Sequence, residues 1–338
     1  MKAIYIEEPR KVSFRELDPP KLTPGSAILR LLYGGICGSD LGSYRGTFAY
    51  FSYPRIPGHE FSAEIVEVAP GDHGLAPGML VTANPYFNCG SCYSCARGLV
   101  NCCMDNQTMG AQRTGAFSQY LSMPIERIYP GQGLDPQTLA LVEPFCISYH
   151  GVTRGRVKAG DKVLIIGGGG IGIFALIAAK ALGAFVTVAD VSAKKLDLAK
   201  TFGADALVLN DRPEKIQAAV ETYTDGAGFD VSIEAVGLPQ TFQSCIDATA
   251  FGGNVSLIGI GKQNLDFHFT TIQRKELNIY GSRNALKSDF ETVISLLTSG
   301  KVDLSGFVSD VYPWQKAPEA FADFDQGEKL KILLDFCS

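Results

Sequence analysis

The chain has 338 residues, of which 46% are hydrophobic and 19% charged, and its formal net charge is −5. That is enough apolar residue for two domains with real cores, and it excludes a disordered, collagen-like or coiled-coil protein. The mild acidic excess has the wrong sign for a nucleic-acid binder.

At the N-terminus, Glu7 and Glu8 arrive too early for the apolar region of a secretory leader, so a soluble, cytoplasmic protein is expected. Residues 1–145 are rich in Gly and Pro, and alternating runs such as Ala27–Leu32 and Ala63–Val68 predict β-strands joined by turns. Within this stretch, Gly35-Ile36-Cys37-Gly38-Ser39-Asp40 and Gly58-His59-Glu60 supply a thiol, an imidazole and carboxylates. Such a set suits a zinc that keeps one position open. Each segment alone also fits a plainer role, with His59 a hydrogen-bonded core histidine and Cys37 a small buried hydrophobe.

Cys89, Cys92 and Cys95 follow, then Cys102 and Cys103. Thiolates two residues apart on a turn converge on one tetrahedral zinc, and a fourth sulfur closes the site, which is therefore structural. Spacing does not choose between Cys102 and Cys103 as that fourth ligand. Nine cysteines, an odd number with five of them crowded into residues 89–103, make a poor disulfide framework.

From Asp161 onward the pattern changes. Strands are predicted at 162–167, 185–190, 206–209, 229–235 and 254–258, and helices at 170–182, 194–202, 213–222 and 238–248. This alternation implies a parallel sheet with helices on both faces. Val163–Ala179 is free of charge, but at 17 residues with five glycines it suits a buried strand, turn and helix better than a membrane span. Gly167, Gly169 and Gly172 fit G-x-G-x-x-G between strand and helix, and the amides of Gly170 and Ile171 open the helix. Glycines also simply break strands. The context favours a dinucleotide, because Asp190 closes the next strand 21 residues after Gly169. An acid there accepts the ribose hydroxyls and repels a 2′-phosphate, favouring NAD over NADP, although Lys194 and Lys195 follow it. Beyond Asn284, a helix at 288–299, another near 318–325 and a strand at 331–336 are too small to fold alone and are expected to pack on the first domain. The expected division is 1–147 with 286–338, and 148–285.

These motifs, with Glu143-Pro144, occur in an order that resembles the zinc-containing medium-chain dehydrogenase/reductase family, in its sorbitol and hexonate branch, over essentially the whole chain. The resemblance implies an α/β protein with a GroES-like β-barrel catalytic domain and a Rossmann-fold, doubly wound parallel sheet. It implies a catalytic zinc at Cys37, His59, Glu60 and Glu143, with Glu60 bound directly or exchanging with water. The family places the last structural ligand after Asn-x, which selects Cys103 here. Two zincs per chain and NAD are the implied cofactors. Zinc acidifies the substrate hydroxyl, Ser39 takes the proton and hydride passes to nicotinamide.

Glu143 stands where alcohol dehydrogenases of the family carry cysteine, which favours a sugar-like substrate. Gly42 replaces a relay histidine of many members, so a relay beyond Ser39 passes to water, a ribose hydroxyl or another side chain such as His150. Arg283 and Asn284, with Arg113, are placed by resemblance at the substrate. Two cations favour an aldonate such as L-idonate, L-gulonate or L-galactonate, oxidised at C5, over a neutral polyol. Ordinary ion pairs are the plainer reading of both arginines. A non-catalytic NAD-binding relative would have lost zinc ligands, and all four are present. The expected assembly is a homodimer or homotetramer, with no nucleic-acid or membrane partner.

Overall fold

The computed structural model describes residues 1–212, 214–261 and 263–338, and the chain divides into Met1–Glu143 with Leu286–Ser338, and Pro144–Ala285. In the first unit the central strand, Ser26–Gly35, alternates its side chains across the sheet. Ala27, Leu29 and Leu31 enter one apolar cluster with Phe61, Ile65 and Val81. Ser26–Gly35 pairs with Glu60–Val68 along one edge, and with Tyr120–Pro124 and Ile332–Asp335 along the other. The last of these comes from the chain's far end and brings Ile332 and Leu334 into a second cluster with Ile4, Ile36, Trp314 and Phe321. Seven strands form this sheet. Each fully buried Leu or Ile in such clusters is worth about 1.5–3 kcal/mol relative to exposure.

In the second unit six parallel strands lie in the order Ala206–Leu209, Phe185–Asp190, Lys162–Ile166, Phe229–Glu234, Thr249–Leu257, Asn278–Gly281. Val163 sits between Val186 and Val231, all three fully buried, as expected for a strand covered on both faces. The sequence runs outward in opposite directions from Lys162–Ile166, so the topological switch lies between that strand and Phe229–Glu234.

The structure differs from expectation at several places. The helix Val142–Arg154 carries the chain across the division at Glu143, earlier than 147; its Pro144, Gly151 and β-branched residues disguise it in the sequence. The strand expected at 254–258 begins at Thr249, which pairs with Phe229 before an irregularity that takes in Gly252 and Gly253 and ends where Asn254 meets Val231. That strand is second from the sheet edge, and the edge beside it is Asn278–Gly281. The helix expected from Pro213 is described from Glu214 to Thr224, and Pro213 lies outside the described residues. Among the described residues no helix is long and apolar enough to cross a membrane.

Candidate active site and metal centres

Cys37 is the N-cap of the helix Gly38–Arg45, with Ser39 and Asp40 in its first turn. The buried Asp40 carboxylate accepts the Cys37 amide at 3.0 Å on one oxygen and the Gly58 amide at 3.1 Å on the other. One side chain thus clamps the two segments that carry Cys37 and His59. Gly58 has φ +95°, and a Cβ on it would lie 2.2 Å from Phe117, so only glycine lets the chain turn beneath that ring into His59. The Phe117 amide and that of Gly115 bond to Pro57 and Ile56, which holds the turn from the outside.

His59 is buried. Its Nδ1 lies 3.9 Å from Asp40 Oδ1 and has no hydrogen-bond partner. Glu60, beside it at the start of a strand, receives Lys331 Nζ on Oε2 at 2.5 Å, and the same ammonium reaches the Ile36 carbonyl at 3.2 Å. Both side chains are almost wholly buried. Gly35 leaves the room, since a Cβ there would meet Glu60 Oε2 at 2.5 Å. Ligand atoms of Cys37, His59 and Glu60 all lie within 4.8 Å of one another. Glu143, buried on the helix Val142–Arg154, stands outside that group, and the Tyr86 hydroxyl donates to it.

The electrostatics of the metal-free cluster are those of a cation site. Burial pushes the Glu143 carboxyl up to about 7 and raises Asp40 as well. Burial opposes a charged His59 ring, yet the Asp40 carboxylate and the Cys37 sulfur raise its pKa well above the usual histidine value. Buried acids of raised pKa crowded round an imidazole and a thiol are a set whose charge a divalent cation would neutralise. A metal on one ring nitrogen would leave the other as N–H facing Asp40, the arrangement that orients metal-bound histidines elsewhere. The residues present fit zinc.

The sulfurs of Cys89, Cys92, Cys95 and Cys103 also converge within 4.8 Å. Cys103 is buried and Cys102 exposed, so the choice left open by spacing falls on Cys103. Backbone amides aim at the sulfurs, Cys89 N at Cys103 Sγ (3.2 Å) and Cys92 N at Cys89 Sγ (3.3 Å). Such amides help draw the Cys92 thiol down to about 6, while burial pushes Cys103 up to about 11. Four converging sulfurs, with Cys89 and Cys92 drawn toward the thiolate form, suit a closed metal site.

In the second unit the turn Gly167–Gly172 joins the strand Lys162–Ile166 to the helix Gly170–Ala181. A Cβ on Gly172 would fall 1.7 Å from the Gly167 carbonyl, so strand and helix can approach only through glycine. A Cβ on Gly169 would meet no protein atom, and the space it leaves lies at the helix N-terminus, where a phosphate would be favoured. Asp190 accepts the Gly168 amide at 2.7 Å and the Ser192 amide at 2.8 Å, and Lys195 flanks Gly168. The turn fits a dinucleotide pyrophosphate, and the Asp190 carboxylate lies beside it on the Gly168 amide.

The residues expected at the substrate are divided. Arg113, in the first unit, lies 3.7 Å from the centre of the Phe87 ring, which Arg127 also approaches at 4.4 Å. Arg283 is exposed after the strand Asn278–Gly281, and Asn284 takes φ +52°. His150 is buried on its helix in the second unit. A groove of about 730 Å³ lined by Pro70, His73, Tyr129 and Lys287 holds none of the residues above. Two contributors escaped the sequence. Neither Tyr86 nor Lys331 carries a local motif, Lys331 being one of two lysines, with Lys329, ahead of the apolar run Ile332-Leu333-Leu334.

A split sheet unit carrying a closed cysteine cluster and an open Cys–His–Glu cluster, joined to a dinucleotide-type sheet, defines a zinc-dependent oxidoreductase class. Two family models match, the alcohol dehydrogenase GroES-like domain over residues 23–133 and the zinc-binding dehydrogenase over residues 170–299. The chain is 33% identical to L-galactonate-5-dehydrogenase of Escherichia coli K12, covering 95% of this chain and 94% of that one. It is 34% identical to L-threonine 3-dehydrogenase of Pyrococcus horikoshii, over 94% of this chain and 93% of the other. An alcohol dehydrogenase structure from E. coli CFT073 complexed with NADH superimposes with a TM-score of 0.92 at 28% identity, covering 99% of each chain. The chain belongs to the zinc-type medium-chain alcohol dehydrogenase family, built of a GroES-like and a nicotinamide-dinucleotide-binding Rossmann domain.

Proposed function

We propose that this dehydrogenase oxidises the C5 hydroxyl of a hexonate such as L-galactonate, L-idonate or L-gulonate, using NAD and two zincs per chain. The reading rests above all on the open Cys37–His59–Glu60 group, whose ligand atoms lie within 4.8 Å of one another, with the buried Glu143 offered as a further carboxylate ligand. Cys37, His59 and Glu143 hold the catalytic metal, with Glu60 a direct or exchanging ligand. Cys89, Cys92, Cys95 and Cys103 hold the structural one. With zinc and nicotinamide bound, the metal acidifies the substrate hydroxyl and the cofactor accepts hydride.

The chain's own residues do the rest. Asp40 fixes the spacing of Cys37 and His59, and Tyr86 fixes the Glu143 carboxylate. Ser39, next to Asp40 on the helix, relays the substrate proton, taking it as its own hydroxyl proton passes on to water or a ribose hydroxyl. Lys331 balances one carboxylate of a cluster that carries more acids than a single zinc neutralises. In the second unit Gly167, Gly169, Gly170, Ile171 and Gly172 hold the pyrophosphate, and Asp190 with Lys195 the adenosine ribose.

Asp190→Asn keeps an acceptor for the Gly168 amide but loses the charge. Its NAD-over-NADP preference in kcat/KM should narrow about tenfold or more, the worth of a charged over a neutral hydrogen bond. An unchanged preference would remove Asp190 from that role.

The substrate reading gives Arg283 and Asn284, with Arg113, the task of holding the carboxylate, supported by the likeness to an enzyme named for L-galactonate. A neutral polyol is the second reading, supported by Glu143. Measured kcat/KM for hexonates, sorbitol and L-threonine decides among them. Arg283→Ala should lower hexonate turnover about 10–100-fold, the range of a charge-assisted hydrogen bond, and sorbitol turnover less than about threefold. A preference for sorbitol, or equal losses on both, overturns the hexonate assignment. A cytoplasmic location fits nine cysteines of which none forms a disulfide, and a homodimer or homotetramer fits the unpaired edge strand Asn278–Gly281.

A further inference from the structure

Glu234 ends the strand Phe229–Glu234, which flanks Lys162–Ile166 on the side opposite Phe185–Asp190. It is 2% exposed. A single carboxylate oxygen, Oε1, accepts three donors: the Val236 amide at 2.9 Å, the Gly237 amide at 2.8 Å and the Thr241 hydroxyl at 2.7 Å. The backbone carbonyl of the same residue accepts the amides of Ile258 at 2.9 Å and Gly259 at 3.0 Å. One residue therefore ties together the loops that follow two neighbouring strands.

The loops are in close contact. A Cβ on Gly237 would lie 2.6 Å from the Ile260 carbonyl oxygen, and one on Gly259 would lie 2.3 Å from the Gly237 nitrogen and 2.4 Å from Glu234 Oε2. The first loop also abuts the phosphate turn, since a Cβ on Gly167 would meet Val236 Cγ2 at 2.8 Å. A dinucleotide with its pyrophosphate at Gly167–Gly172 and its adenosine at Asp190 must lay its other half across the switch point, over these loops. There Val236, Leu238 and Ile260 stand 43%, 44% and 69% exposed, apolar side chains that a flat ring would cover.

We propose that Glu234 is a positioning residue for the nicotinamide half of the cofactor, setting the height and spacing of loops 235–238 and 258–261 without touching the cofactor itself. This rests on the dinucleotide reading above. Hydrogen bonds to a charged acceptor in a dry site are the strong kind, so the loops are held as one rigid seat.

Calorimetric titration of the intact protein with ADP-ribose and with NADH separates the two halves of the cofactor site. In Glu234→Ala, NADH should bind about tenfold more weakly or worse, while ADP-ribose changes less than about twofold. Glu234→Gln keeps an acceptor oxygen and should stay within about threefold of wild type for both ligands. Thr241→Val removes one donor and should weaken NADH alone by about threefold, which answers the question even if the alanine variant fails to fold. Equal weakening of both ligands, or undiminished NADH binding in both Glu234→Ala and Thr241→Val, overturns the assignment. Wild-type protein that binds neither ligand overturns the dinucleotide reading itself, and this role for Glu234 with it.

Discussion

Replacing His59 by alanine should cut kcat about a thousandfold or more and remove one of two zinc equivalents. His59 is the buried imidazole whose Nδ1 finds no partner in the protein. Its neighbours, Cys37 and Glu60, converge with it, and removing its ring leaves the group one donor short. Loss of the Lewis acid removes several kcal/mol of help to the developing charge, and each 1.4 kcal/mol or so is a factor of ten in rate. The cysteine cluster lies on separate backbone, residues 89–103, so its metal should remain. Metal analysis with steady-state kinetics checks both halves of the expectation. Full turnover in His59→Ala, or two zincs retained, would sink the account of the open site.

The second large effect concerns stability. Lys331→Met should destabilise the protein by about 3–5 kcal/mol, because it leaves the Glu60 charge buried without its partner. Lys331 and Glu60 are both almost wholly buried, 2.5 Å apart, and the lysine also satisfies the Ile36 carbonyl. Burial alone would lower the lysine pKa, but Glu60 outweighs it and the net shift is upward, so the ammonium is charged in the folded chain. The double variant Lys331→Met, Glu60→Met should recover much of the loss, since a buried ion pair is often replaceable by apolar residues of similar size. Urea midpoints of zinc-free protein at constant slope measure this. A midpoint unmoved in Lys331→Met would show that the pair contributes nothing there.

Much of this molecule was legible in its sequence wherever chemistry forces residue type and spacing together. The Gly167–Gly172 turn could be read because only glycine fits where a Cβ would strike the Gly167 carbonyl. The cysteine cluster could be read because sulfurs two residues apart converge by local geometry, and burial then separates Cys103 from Cys102. What escaped depends on distant chain. Lys331 meets Glu60 across 271 residues of sequence and Tyr86 meets Glu143 across 57, and no local pattern encodes either. The helix Val142–Arg154 escaped because its early proline and its internal glycine imitate a loop, while burial of Phe145, Cys146 and Val152 stabilises it.

The strand Ile332–Asp335 pairs with Tyr33–Gly35, and the residue just before it neutralises Glu60. On the ribosome this imposes an order of events. Residues 144–285 form a contiguous unit and can fold while synthesis continues, whereas the unit around Cys37 waits for chain made almost three hundred residues later. Until then Glu60 lacks its counter-charge, so the group of Cys37, His59 and Glu60 is completed long after its own residues have been made.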